Sequence, residues 1–108
     1  MKKYLLLLLF AFQFAFSINV DSVFVSANNF YEKTDFRNAI NEYKKIIDSE
    51  IPNSVLYYNI GNSYFKLNEL GYSRLYYEKA KLLTPNDADL IHNLETVSYT
   101  HLTLPTIG

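Results

Sequence analysis

One fixed interval constrains what this chain can fold into more than any other feature. Ala27 pairs with Gly61, Phe30 with Tyr64, Phe36 with Leu70, Ala39 with Ser73, Tyr43 with Tyr77 and Ile46 with Ala80, each pair 34 residues apart. Small residues meet small and large apolar residues meet large, Ile46 being the oversized member. Pro52 and Pro85 close the two units and sit 33 apart, so the first linker differs by one residue. Self-similarity at such a period is the mark of a repeat architecture, in which one supersecondary unit buries its apolar face only against the next.

Within a unit the apolar residues follow a helical period. Tyr57, Ile60, Gly61 and Tyr64 fall at i, i+3, i+4 and i+7, one stripe of a helix. The run KLNELG then breaks that helix, and Leu70, Ser73, Tyr77 and Ala80 form a second stripe that ends before TPND. Pro85 cannot continue a helix and biases Thr84 away from helical backbone. The first unit predicts helices over about 21–33 and 36–49. DADLIHNLE opens a third, with Asn86 or Asp87 as its N-cap.

Gly61 is the instructive residue, since glycine inside a helix costs about 1 kcal/mol relative to alanine. Close packing of two helices explains it: Gly61, Ala27, Ser73 and Ala80 are gaps that receive neighbouring aromatics. Burying one large apolar side chain returns roughly 1.5–3 kcal/mol, enough to offset the glycine. The expected fold is therefore all-α, an α-solenoid of helix-turn-helix units. It has a degenerate first repeat at 20–53, a second at 54–87 and the start of a third at 88–96. Ala27, Phe30, Ala39, Tyr43, Tyr57, Ile60, Gly61, Tyr64, Ser73, Tyr77, Ala80 and Pro85 are the expected packing residues.

Composition narrows the function. The chain has 108 residues, no cysteine and a formal charge of −1, which excludes disulfides and thiolate metal sites and argues against nucleic acid. MKKYLLLLLFAFQFAFS has two lysines, a short apolar run and small residues at Ala15 and Ser17, the build of a secretory signal peptide over 1–17. Cleavage there would leave 8 basic and 11 acidic residues, a net charge of −3; retention as an anchor is the alternative. His92 has no second ligand at metal spacing, no glycine-rich phosphate loop exists, and Glu32, Asp35, Glu42, Glu69 and Glu78 read as solvated surface. Base stacking on Tyr57–Tyr58 or Tyr76–Tyr77 conflicts with the acidic balance. No cofactor, metal or catalytic set emerges, and an enzyme is not expected.

The stretch SVLYYNIGNSYFKLNELGYSRLYYEKAKLLTPND resembles a tetratricopeptide repeat through Tyr57, Ile60, Gly61, Tyr64, Ser73, Tyr77, Ala80 and Pro85, with Ser73 in place of the usual alanine. The first repeat fits less well, Ser26 and Ile46 departing from the pattern. The longer run through DADLIHNLE, behind a signal peptide, is similar to the repeat segment of BatE-type bacterial aerotolerance proteins. That resemblance implies an exported scaffold in the periplasm or cell envelope. Its protein partners would be membrane-bound von Willebrand factor A-domain proteins and a MoxR-type ATPase. Membrane association through an uncleaved signal or a missing C-terminal region stays open, as does a purely structural solenoid segment.

By the same resemblance, the first helix of each repeat lines a concave partner groove, here Phe24, Asn28 and Tyr31, then Tyr58, Asn62, Phe65 and Lys66. Some family members clamp a peptide's C-terminal carboxylate with Lys, Asn, Asn, Lys and Arg. The matching positions here are Phe24, Asn28, Asn59, Asp89 and Asn93, so the three cations are missing and no such clamp is expected. From Val97 the repeat pattern fails: Ser98 stands where a large residue belongs, and Thr alternates with Leu as in a strand. Residues 97–108 also resemble the translation of a sequencing adapter, and they are read as a tail foreign to the repeat, beyond which the natural chain would continue.

Overall fold

The computed structural model describes residues 18–49 and 53–103. The expected signal peptide over 1–17, together with Pro52, lies outside them. The described residues form five helices: α1 (Val20–Glu32), α2 (Phe36–Ser49), α3 (Ser54–Lys66), α4 (Leu70–Leu83) and α5 (Ala88–Thr103). There is no strand among them, and each helix packs on the next in chain order. The fold is all-α and consistent with a helical-repeat solenoid.

The 34-residue interval extends to the joints. Asn19 caps α1 through Ser22 N at 3.1 Å, and Asn53 caps α3 through Val55 N at 2.8 Å. Asp87 does the same for α5 through Leu90 N at 3.0 Å. Each side chain satisfies a donor that the first helical turn leaves unpaired. The turns inside each unit repeat as well: Thr34 and Asn68 both take left-handed backbone, with φ of 63° and 60°. Asparagine tolerates that region, whereas a β-branched threonine is strained in it. The next residue diverges. Asp35 caps α2, accepting from the Asn38 backbone N at 3.4 Å and from Asn38 Nδ2 at 2.7 Å. Glu69 makes no cap bond and instead reaches Arg37 of the preceding unit at 3.0 Å. Of these two carboxylates, Asp35 caps its own helix and Glu69 ties the units together, so neither is plain solvated surface.

Two cores result. The first gathers Ala27, Ala39, Ile40, Tyr43, Ile46, Leu56, Ile60 and Tyr64 from α1, α2 and α3. The second gathers Leu70, Tyr77 and Ala80 of α4 with Leu90, Leu94 and Val97 of α5. Gly61 stands beneath the Tyr77 ring, which occupies the space a β-carbon would need. Ser73, fully buried, donates to the Gly61 carbonyl at 2.8 Å, so the hydroxyl fastens the helices at their closest approach. Ile46, the misfit to the family pattern, is as buried as its neighbours. Phe30 and Tyr57 are half-buried.

Two expectations need correction. Pro85 is exposed just beyond the end of α4 and is not part of either core, so its place in the pattern reflects backbone restriction more than burial. The strand-like reading of the tail also fails, because α5 runs on to Thr103 and Val97 is fully buried. Leu90, Leu94 and Val97 fall at i, i+4 and i+7, a helical stripe whose burial against α4 outweighs the local Thr–Leu alternation. Residues 104–108 lie outside the described part.

Candidate functional site

The first helices of successive units, α1, α3 and α5, face a common groove of about 300 Å³. Tyr31 enters from α1, Asn62, Phe65 and Lys66 from α3, Tyr77 from α4, and His92, Asn93 and Thr96 from α5. Four of the seven groove residues expected from the sequence thus meet in one place. Asn62 and Phe65 lie a turn apart on α3, so both project to the same side.

The other three expected residues support the groove from behind. Phe24 packs edge-on against Tyr43, ring centres 6.1 Å apart. Asn28 accepts the Tyr43 hydroxyl. Tyr58 lies against Tyr77 at 5.9 Å and accepts from Asn93 Nδ2 at 2.9 Å. Its ring is half-buried.

A hydrogen-bond unit recurs at the repeat interval: Tyr43 donates to Asn28 Oδ1, and Tyr77 donates to Asn62 Oδ1. A buried phenol needs a partner, and asparagine on the groove helix supplies it. Burial, followed by the Tyr31 phenol, pushes the Tyr43 pKa up to about 12. Tyr77 is raised further, again chiefly by burial. Burial and then Tyr58 raise Tyr31. All three phenols are neutral at physiological pH, and Tyr43 and Tyr77 are the donors. In the second unit Asn62 Oδ1 also takes Asn93 Nδ2 at 3.3 Å, so α5 is tied into the groove wall.

His92, Thr96 and Tyr77 were not expected to line the groove. The 34-residue interval could have found the α5 pair, since His92 follows Tyr58 and Thr96 follows Asn62 by one period. Tyr77 was recognised as a packing residue, and only the three-dimensional arrangement shows one edge of its ring reaching the groove.

A different face carries tyrosines and lysines. Tyr64 stacks on Tyr72 at 5.1 Å and on Tyr76 at 5.7 Å. Lys44 Nζ donates to the Tyr64 hydroxyl at 2.9 Å and lies over the Tyr64 ring, 5.5 Å from its centre. That hydrogen bond is the main reason the Lys44 pKa is raised. Lys79 covers Tyr76 at 5.1 Å. These contacts bridge α2, α3 and α4, an inter-unit clamp built from cation–π and stacked pairs.

Among the described residues, no group of three or more His, Asp or Glu could hold a metal ion. No helix among them is long and apolar enough to cross a membrane. Compared with known proteins, the chain matches no protein-family model and no curated protein.

Proposed function

We propose that this protein is a tetratricopeptide-type interaction module, exported and acting as a scaffold in a bacterial cell-envelope complex of the aerotolerance type. The observation that carries the interaction role is the groove itself. It brings aromatic and polar side chains from three successive groove helices, Tyr31, Phe65 and Asn62 among them, onto one open surface. Repeat solenoids use such concave faces to hold extended segments of other proteins.

The envelope assignment rests on the N-terminal signal pattern and on the resemblance carried by the second repeat. It implies von Willebrand factor A-domain proteins and a MoxR-type ATPase as partners. A second reading, a structural segment covered by other parts of an assembly, draws on the outer side of α4. There Leu82 is 85% exposed and Tyr72 57%.

Affinity capture from envelope extracts separates the two. Groove use requires Phe65→Glu to abolish capture of A-domain and ATPase proteins, with Leu82→Glu harmless. The reverse pattern would favour the structural reading, and loss of neither would remove both. Mass spectrometry of the mature N-terminus checks export, with cleavage before Ile18 expected and an intact Met1 indicating an anchor.

A further inference from the structure

Lys66 and His92 enter the groove from the successive groove helices α3 and α5, and no carboxylate lines it with them. Among the described residues, neither is in an ion pair or a side-chain hydrogen bond. The chain as a whole is slightly acidic, so an unpaired lysine beside an N–H-donating imidazole, with no carboxylate in the lining, marks a local reversal of sign. Electrostatic complementarity of this kind selects partners.

The floor beneath them carries a second pattern. The Asn62 amide oxygen is occupied twice, by the Tyr77 hydroxyl and by Asn93 Nδ2. Asn93 Nδ2 is occupied by Asn62 and Tyr58. Among the described residues, the Asn62 NH2 donor and the Asn93 amide oxygen on this groove lining carry no side-chain hydrogen bond. One donor and one acceptor side by side match the C=O and N–H of a single extended peptide unit. The fixed tyrosine hydroxyls determine which end of Asn62 is spare.

We propose that the groove takes an extended segment of another protein with an aspartate or glutamate inside it. The backbone of that segment rests on Asn62 and Asn93, and its side-chain carboxylate sits between Lys66 and His92. This inference rests on the interaction role proposed above and specifies its ligand. It differs from a C-terminal carboxylate clamp, whose cation positions hold Phe24, Asp89 and Asn93 in this chain. His92 donates an N–H in either protonation state, and Lys66 supplies the charge.

The test begins with a random-peptide display library panned against the full chain, each peptide fused at its C-terminus so that no free end is offered. Enriched sequences are then made as C-terminal amides and titrated. One internal acidic position should be enriched. Its Glu→Gln change should weaken binding about tenfold to the unmodified protein and less than about twofold to Lys66→Gln or His92→Gln. Lys66→Arg should retain the effect. Enriched peptides without an acid, an acid effect equal in all variants, or a requirement for a free C-terminal carboxylate would each overturn the acidic-segment inference while leaving peptide binding in place. No enrichment at all would overturn both.

Discussion

Gly61→Ala sets helix propensity against packing, and the structure says which wins. In an ordinary helix interior the change stabilises by about 1 kcal/mol. Here a β-carbon would stand 2.6 Å from Cδ1 and Cε1 of Tyr77 and 3.2 Å from its Cγ. The ring has little room to retreat, being 2% exposed, bonded to Asn62 through its hydroxyl and backed by Tyr58. Overpacking costs about 1–3 kcal/mol, and a strained or lost Tyr77–Asn62 bond adds about 1 kcal/mol. Against the propensity gain, the net loss is about 1–3 kcal/mol, or roughly 4–24 °C in midpoint for a domain of this size. Gly71→Ala is the internal control. Gly71 is also helical, yet nothing lies within 4 Å of its would-be β-carbon. It should therefore gain about 0.5–1 kcal/mol. Thermal and urea melts followed by circular dichroism measure both. If both variants melt higher than the parent, Gly61 is not a contact gap and the explanation of the repeat's packing is wrong.

Three further outcomes follow from the same geometry. Thr34→Asn, which copies Asn68 at the matching left-handed position, should raise stability by about 1 kcal/mol; a lower midpoint would mean the threonine hydroxyl makes a contact that outweighs its strain. Val97→Ala should lower stability by about 1–2 kcal/mol because Val97 is fully buried beside Leu90 and Leu94, whereas a tail foreign to the fold would tolerate the change. Alkaline unfolding should begin above pH 10. Tyr43 has a folded pKa of about 12 against an ordinary 10.0, and Tyr77 moves the same way. The folded state thus holds protons that the unfolded chain gives up, and their stabilising effect is complete below pH 10 and lost as pH rises towards 12. Phenolate absorbance and ellipticity should change together; early ionisation of these phenols in a still-folded protein would contradict their burial.

Much of the architecture was legible because it repeats. Small residues facing aromatics at a constant interval identify the helix pairs, and Gly61 beneath Tyr77 is the contact that the interval implies. The stripe Tyr58, Asn62, Phe65 likewise marks the groove side of α3, as helical spacing requires. What local pattern could not reveal depends on partners distant in sequence. The alternation of Thr with Leu after Val97 looks like a strand until α4 offers a surface on which a helical stripe can be buried. Glu69 looks like a surface carboxylate until α2 brings Arg37 within reach. Tyr58 looks exposed until α5 delivers Asn93 to its hydroxyl. Pro85 shows the opposite limit: its place in the repeat pattern reflects backbone restriction, and its ring is exposed and outside both cores.

The interaction role is tested most directly by asking which face touches another protein in the cell. A photo-crosslinking amino acid placed at position 65 probes the groove, where Phe65 is 36% exposed, and the same residue at position 82 probes the outer side of α4, where Leu82 is 85% exposed. Irradiation of living cells, followed by mass spectrometry of the adducts, reads the outcome. A partner held in the groove gives a discrete adduct from position 65 that Lys66→Gln weakens, and none from position 82. Adducts from position 82 alone, or from neither position, would contradict a groove that binds protein.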